Sequence, residues 1–207
     1  MAIEAPIGTS DFPQLREEGS YYVDKTAFIT QLLQSKTRVL LLPRPRRFGK
    51  TLNMSMLRTF LERSPIDRAP LFEGLQVWDS ENARRHFQRH PVIYLTFKDV
   101  KYNTWSDTFA VIRELLGIEV DRHRSAIGNS RKLQRVADQE ASDIEYPGVL
   151  RDLSAALTAH YGEQTVILLD EYDAPIQAAY VGGFYGEAVK FFRNFFSGGF
   201  KDNPNLF

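Results

Sequence analysis

At 207 residues and 43% hydrophobic, the chain is long enough for one domain with a substantial buried core. Its 26 Lys and Arg balance 26 Asp and Glu, which excludes a global basic field for nucleic acid and an acidic, solvating tail. The lack of cysteine excludes disulfides, zinc–thiolate sites and thiol nucleophiles. With no basic-then-apolar leader and no apolar stretch of bilayer length, the expectation is a cytoplasmic chain with no membrane partner.

In chain order, a loop rich in turn residues leads to the first predicted element, a short helix in "YYVDKTAFITQLL", where Ala27, Phe28, Ile29, Leu32 and Leu33 form a stripe that Asp24 or Thr26 could cap. "RVLLL", Arg38 to Leu42, reads as a strand buried on both faces and ended by Pro43. After the turn "PRPRRFGK", Leu52, Met56, Leu57, Phe60 and Leu61 recur at helical spacing until Ser64-Pro65.

A short polar helix near Glu81 to Gln88 leads to a second buried strand, Pro91 to Phe97. Trp105, Phe109, Ile112 and Leu116 then mark a helix opened by the capping-box pair Thr104 and Asp107. Residues 118–146 read as a polar surface insertion with little to bury and a helix near Arg131 to Ala141. Pro147 opens a helix carrying Leu150, Leu153 and Leu157, and "TVILLD" is a third buried strand, Thr165 to Asp170. Pro175 starts another helix, and Phe191, Phe192, Phe195, Phe196 and Phe200 mark a last one broken by Gly198-Gly199.

Strands alternating with helices predict an α/β fold: a mostly parallel sheet with helices on both faces, ligands binding beyond the carboxyl ends of the strands. Residues 1–35 form an N-terminal segment ahead of a core at 36–207.

Two motifs lie at such strand ends. Gly49-Lys50-Thr51 matches the end of the phosphate-loop pattern G-x-x-x-x-G-K-S/T, although Arg44 stands where the first glycine belongs. A helix starting there leaves its first N–H groups unpaired, and a triphosphate supplies the acceptors. Lys50 would reach the β- and γ-phosphates and Thr51 the magnesium shell. Arg46 and Arg47 either add charge at the phosphates or pair with acids of the protein. The bland alternative is a helix start after a basic turn. At the other end, Asp170 would hold Mg²⁺ and Glu171 would activate water, against the alternative that these acids, with Asp173, cap the next helix. His86 and His90 read as surface histidines, and the basic stretch Asp121 to Arg135 as a solvated helix face.

"IGTSDFPQLREEGSYYVDKTAFI", "RPRRFGKTL" and "LLDEYDAPI" together resemble the AAA-ATPase-like family, P-loop ATPases related to the AAA+ and STAND groups and often fused to a PD-(D/E)XK nuclease-like domain. The likeness spans nearly the whole chain, and in that family the Arg-Pro-Arg-Arg-Phe form of the loop is usual. It implies a three-layer P-loop fold and a Mg-ATP-binding module that hydrolyses ATP to drive conformational change or assembly. A nucleotide-gated switch, or the ATPase part of a nucleic-acid-processing protein, is the alternative. The implied nucleotide contacts are Arg46, Arg47, Phe48, Gly49, Lys50, Thr51 and Leu52, with Mg²⁺ held by Thr51 and Asp170, and Glu171 as the catalytic residue. Tyr22 to Thr26 are weaker candidates for base contacts. Family members continue past Phe207 into a sensor strand, further helices and the nuclease-like domain, and a homo-oligomer is a further expectation. A chain ending at Phe207 is therefore expected to lack a central strand, and the expectation is a fragment, a sheet that closes some other way, or a strand supplied by another chain.

Overall fold

Asp11 accepts the Gln14 N–H at 2.8 Å, and Pro13 sits in the first turn that follows, so a helix, α1 (Phe12–Glu17), forms where only a loop is expected. The Asp-Phe-Pro signal for it stands in the sequence. The computed structural model describes residues 8–42 and 48–207. They fall into two compact units, Met1–Val92 and Ile93–Phe207.

In the first unit, α1 is followed by α2 (Ala27–Gln34), α3 (Lys50–Leu61) and α4 (Glu81–His86), with short 3-10 turns between α3 and α4. Phe12, Ile29, Met56, Phe60, Phe72 and Val77 are fully buried. Their rings interlock, Phe72 lying 5.0 Å from Phe12 and 5.1 Å from Phe60, and Phe87 5.1 Å from Phe60. The Phe12 N–H donates to Ser55 Oγ at 2.9 Å, tying α1 to α3. Asp24 accepts from the Thr26 N–H and hydroxyl and from the Gln76 N–H, at 2.6–2.8 Å, so it anchors the approach to α2 rather than capping it with a helix bond.

The expected strand at Arg38 to Leu42 is a correction. No strand forms there, and Val39, Leu40 and Leu41 are 49%, 48% and 61% exposed. An apolar run becomes a strand only when neighbours take its N–H and C=O groups. Among the described residues the named strands are β1 (Val92–Thr96) and β2 (Val166–Asp170), which pair with each other.

The second unit is built on that two-stranded parallel sheet, a mixed α/β architecture. The Phe97 N–H donates to the Asp170 carbonyl at 3.0 Å, which sets Thr96 opposite Asp170. Ile93 and Leu95 of β1, with Phe97 just beyond it, share a face with Ile167 and Leu169, and that face packs on the main core. Val166, Leu168 and Asp170 turn to the other face and are also buried. At the outer edge of β1, Glu119 accepts the Tyr94 N–H at 2.8 Å. Beyond β2, the Thr165 N–H donates to the Asn205 carbonyl at 2.8 Å and its carbonyl accepts from Phe207 at 3.1 Å, two rungs of a parallel ladder.

Helices α5 (Trp105–Arg122), α6 (Arg131–Ala137), α7 (Val149–Tyr161), α8 (Ala174–Gly182) and α9 (Tyr185–Phe200) complete the unit. Thr104 caps α5 as expected, accepting the Asp107 N–H and donating to its carboxylate. Two expectations change. Residues 118–146 bury Val120, Ala126, Ile127, Leu133 and Val136 in the core, because the apolar residues of α6 pack on α5 and α7. Gly198-Gly199 does not break α9, which runs on to Phe200. A Cβ on Gly199 would lie 2.8 Å from Leu150 Cδ1, so the glycine serves close helix packing.

Candidate functional site

The phosphate-type loop is described from Phe48 onward; Arg44, Arg46 and Arg47 lie outside the described residues. Gly49 adopts φ 69°, a left-handed conformation that a side chain would strain by about 1–2 kcal/mol. A Cβ there would meet nothing within 4 Å, so the requirement lies in the backbone and not in space. From Gly49 the chain enters α3, whose first hydrogen bond runs from the Asn53 N–H to the Gly49 carbonyl at 2.9 Å. The Lys50, Thr51 and Leu52 N–H groups thus precede the helical ladder, and Gly49 at the cap position has no side chain to bond them. Burial of Met56, Leu57, Phe60 and Leu61 holds α3 in place beneath them, and Phe48 stands 65% exposed.

The acidic half belongs to the second unit. Asp170 ends β2 at 3% exposure; its Oδ1 accepts the Glu171 N–H at 3.1 Å, and its Oδ2 is buried with no partner among the described residues. An unsatisfied buried carboxylate oxygen costs about 1–3 kcal/mol, which a cation or donor would recover. Glu171 follows at φ 52°, a left-handed conformation uncommon outside glycine. Asp173 takes the position just before α8, but its carboxylate bonds Gln177 Nε2 at 2.6 Å and caps no N–H. Helix capping therefore explains neither Asp170 nor Glu171.

Those two features fit Mg²⁺, a hard cation that takes one or two carboxylates and completes its shell with phosphate oxygens and water. Among the described residues no group of three or more His, Cys, Asp or Glu could hold a metal ion by itself. The donor set thus suits a cation that arrives with a phosphate ligand better than a resident one.

Of the weaker base-contact candidates, Tyr22, Asp24 and Thr26 are engaged by their own unit. The Tyr22 ring meets Phe12 edge-on at 5.4 Å and its hydroxyl lies 3.1 Å from Met56 Sδ. Tyr21 and Val23, which alternate with them, are 52% and 51% exposed. Thr96, opposite Asp170 on the neighbouring strand, is the residue that sequence reasoning passed over. Its only signal is a hydroxyl near the end of an apolar run.

Other candidates resolve differently. His90 is 2% exposed rather than a surface residue, and its Nε2 lies 2.9 Å from His86 Nδ1. Four cations of the basic stretch are matched by carboxylates: Arg122 with Glu119, Arg124 with Asp121 and Asp138, Lys132 with Asp152, and Arg135 with Glu145. The Arg135 guanidinium, with Ser142, pulls the Glu145 carboxyl down to about 2. These pairs leave that stretch a structural face.

A loop of phosphate-binding type and an acidic strand end stand on a mixed α/β chain. Within it, the family described as "Predicted AAA-ATPase" matches residues 6–206, and the chain belongs to that family. Membership points to ATP binding as the general activity. The chain is also similar to a protein of Azotobacter chroococcum mcd 1 described as "Uncharacterized protein in vnfD 5'region", at 36% identity over 172 residues. That match covers 83% of this chain and 29% of the relative's length. No solved structure matches. Among the described residues, no helix is long and apolar enough to cross a membrane.

Proposed function

We propose that the chain binds Mg-ATP and hydrolyses it to drive conformational change or assembly, and that its units belong to a three-layer P-loop fold. The observation that carries the reading is the unpartnered, buried Oδ2 of Asp170 directly before the left-handed Glu171. The N–H groups at the start of α3 and the ammonium of Lys50 bind the β- and γ-phosphates, with Arg46, Arg47, Phe48, Gly49 and Leu52 completing the loop. Thr51 and Asp170 are the magnesium ligands. When bound, Mg²⁺ neutralises charge on the phosphates.

Glu171 orients the attacking water and takes its proton. Its backbone turns out of the β2 geometry at the strand's carboxyl end. The two carboxylates thereby take separate tasks, Asp170 the cation and Glu171 the water.

Calorimetric titration of Mg-ATP into the chain, with Lys50→Ala beside it, tests the binding. Saturable binding that disappears in the variant is expected; a well-folded chain that takes up no Mg-ATP overturns the reading. Turnover is tested with Glu171→Gln, expected to keep binding while losing about 10²–10⁴-fold in rate. A wild type that binds without turning over would instead make the chain a nucleotide-gated switch.

A further inference from the structure

The carboxyl end of β1 carries a polar residue whose place in the sheet links it to Asp170. Register sets Thr96 directly opposite Asp170, since the Phe97 N–H donates to the Asp170 carbonyl. Side-chain alternation then puts both on one face of the sheet, away from the core-packed Leu95, Phe97 and Leu169. Paired strands lie about 4.8 Å apart, so the two side chains are immediate neighbours.

They do not bond each other, because Asp170 Oδ2 is buried without a partner. The Thr96 hydroxyl accepts from the Lys98 N–H at 3.4 Å, a long contact that uses one lone pair and leaves its proton to donate. An orphaned acceptor and an available donor on adjacent strands, too far apart for a direct bond, make the setting that a single water bridges.

We infer that Thr96 is a positioning residue for the cation: its hydroxyl holds a water of the shell around the ion bound by Asp170. The inference rests on the proposed magnesium role of Asp170. Thr96 touches neither nucleotide nor reacting atoms and acts through that water alone. Removing the hydroxyl therefore weakens the metal and leaves metal-free nucleotide binding as it was.

The test uses Mn²⁺ as the probe, its free concentration followed by electron paramagnetic resonance as it is titrated into the full chain with saturating ATP. Thr96→Val, equal in shape, is expected to lose about 10-fold in Mn²⁺ affinity, the low end for loss of an outer-shell partner. Thr96→Ser is expected to stay near wild type, and all three proteins to melt together and bind metal-free ATP alike. Wild-type Mn²⁺ affinity in Thr96→Val, with Asp170→Asn impaired, overturns this inference and leaves the proposed function standing. Undiminished affinity in Asp170→Asn overturns both. A loss in Thr96→Ser as large as in Thr96→Val, with lowered melting, marks Thr96 as structural and also overturns it.

Discussion

Glu119, buried on α5, accepts the backbone N–H of Tyr94 at 2.8 Å and so closes the outer edge of β1 with a carboxylate. Arg122 holds the same carboxylate through two donors, at 2.7 and 2.9 Å, and His123 Nε2 lies 3.5 Å away. An edge strand left open would present unpaired N–H groups to other chains. Burial alone would raise the Glu119 carboxyl, yet the bonds from His123, Arg122 and Tyr94 outweigh it and hold it below its ordinary value of 4.5.

Glu119→Ala is accordingly expected to cost about 2–3 kcal/mol in urea denaturation at neutral pH, since it removes a buried carboxylate bonded by both the Tyr94 N–H and Arg122. The sign with pH follows from the depressed carboxyl. Its contribution is fully present above about 4.5, the unfolded value, and disappears as pH falls through the lower folded value. The stability gap between wild type and Glu119→Gln should therefore shrink in acid, and a gap that widens there would refute the assignment.

Gly199 packs where α9 meets Leu150 of α7. Gly199→Ala brings a methyl to 2.8 Å from Leu150 Cδ1 and 3.0 Å from Leu150 Cβ, so it is expected to destabilise by about 1–3 kcal/mol despite alanine's better helix propensity. The double variant with Leu150→Ala measures the coupling: the second change should relieve part of the first, and strict additivity would place the clash elsewhere.

Asn203, 3% exposed, donates to Ser154 Oγ at 3.0 Å and to the Gly199 carbonyl at 2.8 Å, and accepts from Asn205. It holds the end of α9 so that Asn205 and Phe207 reach Thr165. Asn203→Ala should cost about 2 kcal/mol and speed hydrogen exchange at the Thr165 and Phe207 amides more than at β1. Uniform acceleration across the unit would show global loosening instead of a local clasp.

Glu171 combines a left-handed backbone with the position proposed for the catalytic base. Glu171→Gly removes the side-chain strain and is expected to raise stability by up to about 1 kcal/mol, offset in part by glycine's greater unfolded freedom, while ATP turnover is lost. Glu171→Gln should lose turnover without that gain. Thermal melting beside a phosphate-release assay separates the two, and equal melting of all three would remove strain from the account.

Much of this was legible in local pattern. Capping at Thr104, the apolar stripes of α3 and α7, and the runs that became β1 and β2 each carry their signal within a few neighbouring residues. Gly49-Lys50-Thr51 and Asp170-Glu171 stand out as residue types at fixed spacing, at the start of α3 and the end of β2, although the strand expected before the first of them does not form. Asp11-Phe12-Pro13 was equally legible and was read as loop.

What only the tertiary structure decided concerns partners distant in sequence. Val39, Leu40 and Leu41 have the composition of a buried strand, yet a strand exists only where another takes its hydrogen bonds, and composition does not name that neighbour. The burial of residues 126–136, the glycine contact of Gly199 with Leu150 and the edge closure by Glu119, 25 residues beyond Tyr94, depend on packing between segments distant in the chain. The register that sets Thr96 against Asp170 joins residues far apart in the chain, and it arises from pairing alone. Local sequence determines which groups a segment offers; the fold determines which of them stay unpartnered, as Asp170 Oδ2 does, and so where chemistry can occur.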